Sequence, residues 1–359
     1  MSYDKHILIY NRYLILIMIV DQFDYNLPPE RIAKRPARPR DSSKLMHISE
    51  HSIKDKYFYQ LPEMLKKNDV LVFNNTRVLP ARIFGEVSKR KIELLIHRQE
   101  EDYIWQVLAR PSKILRDNDI VNFPDSSYAQ VIGRTKHNFP ILKFFTGNKS
   151  FKHFLDLNGQ VPIPPYLNRK YDNEDIVDYQ TVFASEDGSV AAPTAGLHFT
   201  ERIIQKIKDM GIIIEFVTLH IGIGTFKNIT EKDIINHKMH EEYISITEDV
   251  AKRLNNAKSN GSRIVAVGTT ALRTLESSSL DGGVILPSSK FTDLFVMPGY
   301  KFKIVDLLLT NFHLPRSSLM VLISAFAGIE IIKKSYQYAI DNNYRFYSYG
   351  DACLIERKK

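Results

Sequence analysis

The chain has 359 residues, 44% of them hydrophobic and 25% charged, which is ordinary for a soluble globular protein and enough for two domains. Its formal net charge of +8 suits a polyanionic partner, nucleic acid first. The single cysteine, Cys353, excludes an internal disulfide and a cysteine-built zinc cluster, and it fits a reducing cytoplasm.

The first feature in chain order is ILIYNRYLILIMIV, an apolar run broken by Asn11 and Arg12. Its longest uninterrupted part falls far short of the roughly 20 apolar residues that span a bilayer, and no small-residue cleavage site follows. Met18 opens MIVDQFDYNLP, which reads as the start of a soluble protein. Residues 1–17 are therefore expected to be a dispensable or mis-started leader, with a membrane anchor as the alternative. From Phe23 the chain is basic and rich in proline (FDYNLPPERIAKRPARPRDSSKLM), so no long helix is expected there.

Between about Asp69 and Phe145 the sequence breaks into short runs rich in Val, Ile, Phe and Tyr: DVLVFNN, ARIFGEV, KIELLIH, YIWQVLAR, DIVNF, AQVIG and PILKFF. Their close spacing predicts a small β-barrel or sandwich. After Phe151, strands and helices alternate. A helix over 200–210, capped by Thr200 and stopped by Gly211, leads to the apolar strand Ile212–Leu219. A helix over 247–259, strand RIVAVG, helix ALRTLESS and strand KIVDLLLT follow. Helical stretches near 317–328 and 330–341 precede a last strand at Ala352–Ile355. This alternation predicts an α/β fold: a mainly parallel sheet covered by helices on both faces, with an inserted small β-barrel domain. The expected division is 1–17 as leader, 18–65 plus 150–359 as the α/β catalytic domain, and 66–149 as the inserted barrel.

Chemistry is expected at four loops. GSVAAPTAGLHFT (188–200) carries no Lys, Arg, Asp or Glu and one imidazole, His198, just before a helix N-terminus. That composition suits a reactive pocket, and it suits equally a packed interdomain turn with a satisfied histidine. HIGIGTF (220–226), VGTTALRTLES with Gly268, Thr269 and Thr270, and LLTNFHLPRSSL with Asn311, His313 and Arg316 each follow a strand, where ligands bind in open α/β sheets. His237, His240 and Glu241 resemble part of a metal site, though not in HExxH spacing. The basic residues Arg31, Lys34, Arg35, Arg38 and Arg40 suit phosphate contacts or a solvated loop.

At these loops the chain resembles a known family. FNNTRVLPARIFG, SVAAPTAGLHFT, LHIGIGTFKNI, NHKMHEEY, RIVAVGTTALRTLES, FVMPGYKFKIVDLLLTNFHLPRSSL and FYSYGDACLI together resemble the S-adenosylmethionine:tRNA ribosyltransferase-isomerases of queuosine biosynthesis. The likeness runs from about Phe23 to Ile355. Departures are the leader before Met18 and local choices such as Asn75, where an acidic residue is common. The resemblance implies an α/β domain with a β-barrel inserted near its N-terminal part. It also implies a ribosyl transfer and rearrangement from S-adenosylmethionine onto 7-aminomethyl-7-deazaguanine at the tRNA wobble position. Epoxyqueuosine would form, with adenine and methionine released. S-adenosylmethionine is then a consumed co-substrate, with no resident cofactor or metal. The partner is a tRNA carrying the modified base, and a cytoplasmic monomer without membrane contact is expected.

Read against that reaction, His198, His240, Glu241 and His313 are the expected proton-transfer groups. Arg77, Thr194, Gly222, Gly224, Thr269, Thr270, Arg273, Asp293, Tyr300, Asp306, Asn311 and Arg316 are expected to bind substrate. Arg273 and Glu276, three apart, are a possible local ion pair. Arg35, Arg38 and Arg40 are expected to contact tRNA, with Tyr300, Phe312 and Tyr349 as stacking candidates. Two rival readings are a metal-dependent nucleotide hydrolase, built on His237, His240 and Glu241, and a non-catalytic RNA-binding module.

Overall fold

Strand Val70–Asn74 is buried along its whole length, and a strand without a polar face belongs in the middle of a sheet. The computed structural model describes residues 18–222, 229–231 and 233–358, and the backbone of 7–10 and 13–16. In it, Val70–Asn74 is the fourth of nine strands, ordered Ser288–Thr292, Glu242–Ile246, Ile213–Leu219, Val70–Asn74, Ile264–Val267, Leu307–Asn311, Ala352–Glu356, Lys44–Ser49 and Ser52–Tyr57. Val70 and Val72 face one core with Ala266 and Leu308; Leu71 and Phe73 face the other with Val265 and Leu309. Helices Glu248–Ser259, Thr269–Ser277, Ser318–Ala327 and Ile329–Asp341 contribute to the first core, and Glu201–Asp209 to the second. Both faces are covered.

The sheet is mixed, not mainly parallel. Four neighbouring pairs run parallel: Val70–Asn74 with the strands on either side, Ile264–Val267 with Leu307–Asn311, and Ala352–Glu356 with Lys44–Ser49. The other four pairs are antiparallel. Apolar runs reveal burial, but a run carries no mark of its neighbour's direction, so helix–strand alternation overstated the parallel share.

The barrel is closed by six antiparallel strands, Arg82–Val87, Arg90–Glu101, Ile104–Arg110, Ile120–Asn122, Tyr128–Arg134 and Pro140–Phe145. Closure occurs where Asn122 meets Glu86. A Cβ on Gly85 would lie 2.7 Å from Val121 Cγ1 and 2.8 Å from Asn122 O, so the seam requires glycine there. DVLVFNN, read with the barrel runs, lies in the large sheet instead. Helix Phe151–Asn158 plugs the barrel's core with Phe154 and Leu155, and Phe151 stacks on Trp105 at 4.8 Å.

The strand predicted from Lys303 begins only at Leu307. The N–H groups of Lys303, Ile304 and Val305 donate to the buried Glu276 carboxylate rather than to a neighbouring strand. Among the described residues no helix is long and apolar enough to cross a membrane.

Candidate active site

The four parallel strands at the sheet's centre end together at Asn74, Leu219, Val267 and Asn311. Carboxyl ends of parallel strands carry the loops that form a crevice. Here Ala191–Ala195, Gly268–Thr270, Thr310–Leu314 and Tyr347–Ser348 surround a cavity. Thr194, Thr269, Thr270, Asn311 and His313 line it, as the sequence suggested. Helix Thr269–Ser277 points its N-terminal turn at the cavity, with no side chain capping its free N–H groups. Among the described lining residues there is no Asp, Glu, Lys or Arg. These walls offer hydroxyls, an amide and backbone groups.

His198 stands behind this wall, not in it. It is buried, 5.0 Å from the Phe58 ring in a stacked arrangement. Asn311 Nδ2 donates to the Tyr347 carbonyl at 3.1 Å and contacts His198 Nε2 at 3.1 Å. A carbonyl can only accept, so the amide nitrogen is correctly placed and His198 Nε2 is the acceptor. The proton is then on Nδ1, which donates to Ser43 Oγ at 2.8 Å. Burial, reinforced by Arg345 and Arg40, pushes the imidazole pKa down to about 3, so the ring is neutral. With both nitrogens engaged, His198 fits a positioning role better than the expected proton transfer.

His313 does line the cavity. Its Nε2 contacts Thr310 Oγ1 at 3.0 Å, its N–H donates to Tyr336 Oη at 2.8 Å, and its carbonyl accepts from Tyr25 Oη. Burial holds its pKa down to about 3. Tyr347 beside it adopts φ 71°, a conformation costly for a bulky residue and concentrated at functional sites.

A second, roomier cavity lies at the seam between barrel and sheet and shares Ile221 with the first. Its walls are charged: Arg98, Lys152, Asp187, His220, Glu241 and Glu242. Glu241 pairs with Arg98 at 3.5 Å, and Lys152 with Asp187 at 2.5 Å. Buried Glu242 pairs with buried Arg273 and accepts the Gly222 N–H at 3.1 Å. His220 contacts Thr76 Oγ1 at 2.9 Å, stacks on Tyr243, and has its pKa lowered, chiefly by burial. A Cβ on Gly188 would lie 2.7 Å from that ring, so glycine makes room for the imidazole.

The remaining expected residues are scattered. His240 and Asp293 are exposed and line neither cavity. Asp306 sits at the opposite end of the sheet, paired with Lys258 at 2.6 Å and with the Ile264 N–H. Tyr300 donates to Glu276 at 3.2 Å, and Arg273 pairs with Glu242, so no Arg273–Glu276 pair forms. Arg316 tethers Asp21 at 2.7 Å, and Arg77 reaches Asp187 and the Ala184 carbonyl. Gly224 lies outside the described residues. His237 contacts Glu231 at 2.9 Å, and the described residues hold no cluster of three or more candidate metal ligands. Phe312 lines the first cavity but is packed among Tyr336, Tyr344 and Phe346, and Tyr349 is buried against Tyr179.

The three arginines of the basic segment expected to contact tRNA have partners within the chain. Arg35 pairs with Asp172, Asp175 and Asp178, and Arg38 with Glu174 and Asp178. Arg40 donates to the carbonyls of Gln180 and Val177 at 2.8 and 2.5 Å. These side chains clamp the N-terminal segment to the turn around 172–180 rather than presenting free charge.

Sequence reasoning missed Ser43, Tyr347, Arg98, Lys152 and Glu242. Tyr347, Ser43 and Glu242 left a trace, within the quoted FYSYGDACLI, RDSSKLM and NHKMHEEY; Arg98 and Lys152 gain meaning only from partners far away in the chain.

The family described as queuosine biosynthesis protein matches residues 20–355. Relatives named S-adenosylmethionine:tRNA ribosyltransferase-isomerase include one from Parvibaculum lavamentivorans, 46% identical over 94% of this chain and 99% of its own length. Another, from Natranaerobius thermophilus, is 45% identical over 94% of this chain and all of its own length. A crystal structure of S-adenosylmethionine tRNA ribosyltransferase from Thermotoga maritima has a TM-score of 0.52 at 34% identity, covering 93% of this chain and 99% of that one.

Proposed function

We infer function from membership: the chain belongs to the queuosine biosynthesis protein family, and it acts as a ribosyltransferase-isomerase on S-adenosylmethionine and tRNA. The observation that carries this reading is similarity above 40% identity along nearly the whole length of both chains. In detail, we propose that ribose passes from S-adenosylmethionine to 7-aminomethyl-7-deazaguanine in the anticodon and rearranges to epoxyqueuosine, releasing adenine and methionine in the cytoplasm.

The two cavities suit the two substrates. The uncharged first cavity takes S-adenosylmethionine, whose sulfonium acidifies the adjacent ribose carbon. The charged seam cavity takes the acceptor nucleoside, with Glu241, Glu242, Asp187 and His220 near its amine. Their common wall at Ile221 supports this division, because group transfer requires donor and acceptor side by side. Proton transfer on the acceptor side belongs to the seam groups; the donor side offers His313, held neutral.

Incubation with S-adenosylmethionine and tRNA carrying the modified base should release adenine and methionine in equal amounts with the ribosylated tRNA. Adenine release without the modified base, or none with it, would overturn this reading. Release should persist in excess chelator.

A further inference from the structure

Asn311 closes strand Leu307–Asn311 at the cavity floor and is 2% exposed. Both protons of its Nδ2 are used behind the wall, on the Tyr347 carbonyl and His198 Nε2. Its Oδ1 is buried without a hydrogen-bond partner among the described residues. So is Oγ1 of Thr270, which lines the same cavity. A buried orphan oxygen destabilises a fold and calls for a partner. A carbonyl oxygen accepts only, so its partner is an N–H or O–H donor, which a ligand in the cavity can supply.

We propose that Asn311 Oδ1 selects the exocyclic amine of the adenine in S-adenosylmethionine, and that His198 is the positioning residue that turns this oxygen toward the ligand. The inference rests on reading the first cavity as the S-adenosylmethionine site. The choice of amine over the methionine ammonium follows from the walls. The methionine ammonium has three N–H donors and meets no carboxylate among the described lining residues, whereas a neutral amine needs one acceptor; the sulfonium has no N–H to satisfy.

The orientation is set from behind. His198 donates to Ser43 Oγ and lies on Phe58, so its unprotonated Nε2 faces the amide. Nδ2 is held from two sides, by the Tyr347 carbonyl and by the unprotonated Nε2, and a flipped amide would set Oδ1 against that carbonyl. The two acceptors together keep Oδ1 toward the pocket.

Calorimetric binding of three probes tests this: S-adenosylhomocysteine, S-inosylhomocysteine (6-oxo in place of the amine) and 5′-methylthioadenosine (no ammonium). The unaltered protein should bind S-adenosylhomocysteine about tenfold or more tighter than the inosyl compound, because an oxo group would face Oδ1. Asn311→Ala should bring that ratio close to one, and His198→Leu, which leaves the Tyr347 carbonyl alone to hold the amide, should lower it. His198→Gln, which keeps an acceptor for the amide, should retain most of it. Equal binding of the amino and oxo compounds by the unaltered protein would overturn the proposal, and this comparison needs no variant to fold. A ratio that survives Asn311→Ala, or melting temperatures that fall while the ratio stays fixed in every variant, would also overturn it. If Asn311→Ala weakens S-adenosylhomocysteine but not 5′-methylthioadenosine, the oxygen reads the ammonium and the adenine assignment fails. Binding of none of the probes would instead overturn the reading of the cavity itself.

Discussion

At the residue scale, His198 separates what a sequence says from what a fold decides. A charge-free loop with one imidazole before a helix does mark the cavity, because Thr194 and Ala195 line it. The ring's direction was not legible. It depends on Ser43, Phe58 and Asn311, which only the folded chain brings together. Its burial also has a titration consequence. The folded pKa of about 3 lies below the ordinary 6.5, so the unfolded chain binds an extra proton between those values. Stability from the neutral ring is complete above about pH 6.5 and is lost as pH falls toward 3. Each such histidine contributes a slope of about 1.4 kcal/mol per pH unit within that window. Denaturant unfolding of His198→Gln between pH 6.5 and 5 should show a slope shallower by about one proton than that of the unaltered protein. Parallel curves would mean that His198 is not held neutral.

At the element scale, helices and their caps were legible because their signals are local. Thr200 accepts the Ile203 N–H and Thr247 the Val250 N–H, at the predicted helix starts. Strand direction was not, since Ala352–Glu356 runs against Leu307–Asn311 but with Lys44–Ser49, and nothing in its sequence distinguishes the two edges. The basic segment shows the same limit. Arg35, Arg38 and Arg40 look free in sequence because their partners, carboxylates for the first two and backbone carbonyls for Arg40, lie some 140 residues away. Asp175 and Asp178 are buried, so removing Arg35 leaves carboxylates without a full set of partners. Arg35→Ala should cost about 1–3 kcal/mol of stability, reduced toward the lower end because Arg35 is itself 31% exposed. Thermal unfolding measures this, and a loss of tRNA affinity at unchanged melting temperature would return the segment to the RNA interface.

At the scale of the whole molecule, the inserted barrel supplies one wall of a cavity that the α/β domain alone lacks. Arg98 from the barrel and Lys152 from the helix that plugs it reach the seam, 36% and 58% exposed, and their partners Glu241 and Asp187 are also accessible. Exposed ion pairs are worth little, so either cation can exchange its carboxylate for a phosphate at small cost. The Arg98 guanidinium also lies 4.2 Å from the centre of the Phe291 ring, fixed where a backbone entering the seam would pass. The net charge of +8 favours tRNA generally, and on the proposed reading of the seam as the acceptor site, cations beside it would both attract the backbone and place the base. Affinity for tRNA should fall steeply with salt, by a slope of about 0.7–0.9 per neutralised phosphate. Arg98→Ala combined with Lys152→Ala should lower that slope by roughly 1–2 and raise KM for tRNA, while S-adenosylhomocysteine binds as before. Arg38→Ala, in the clamped segment, should leave the slope where it was. If the two results are reversed, tRNA follows the N-terminal segment and the seam carries only the base.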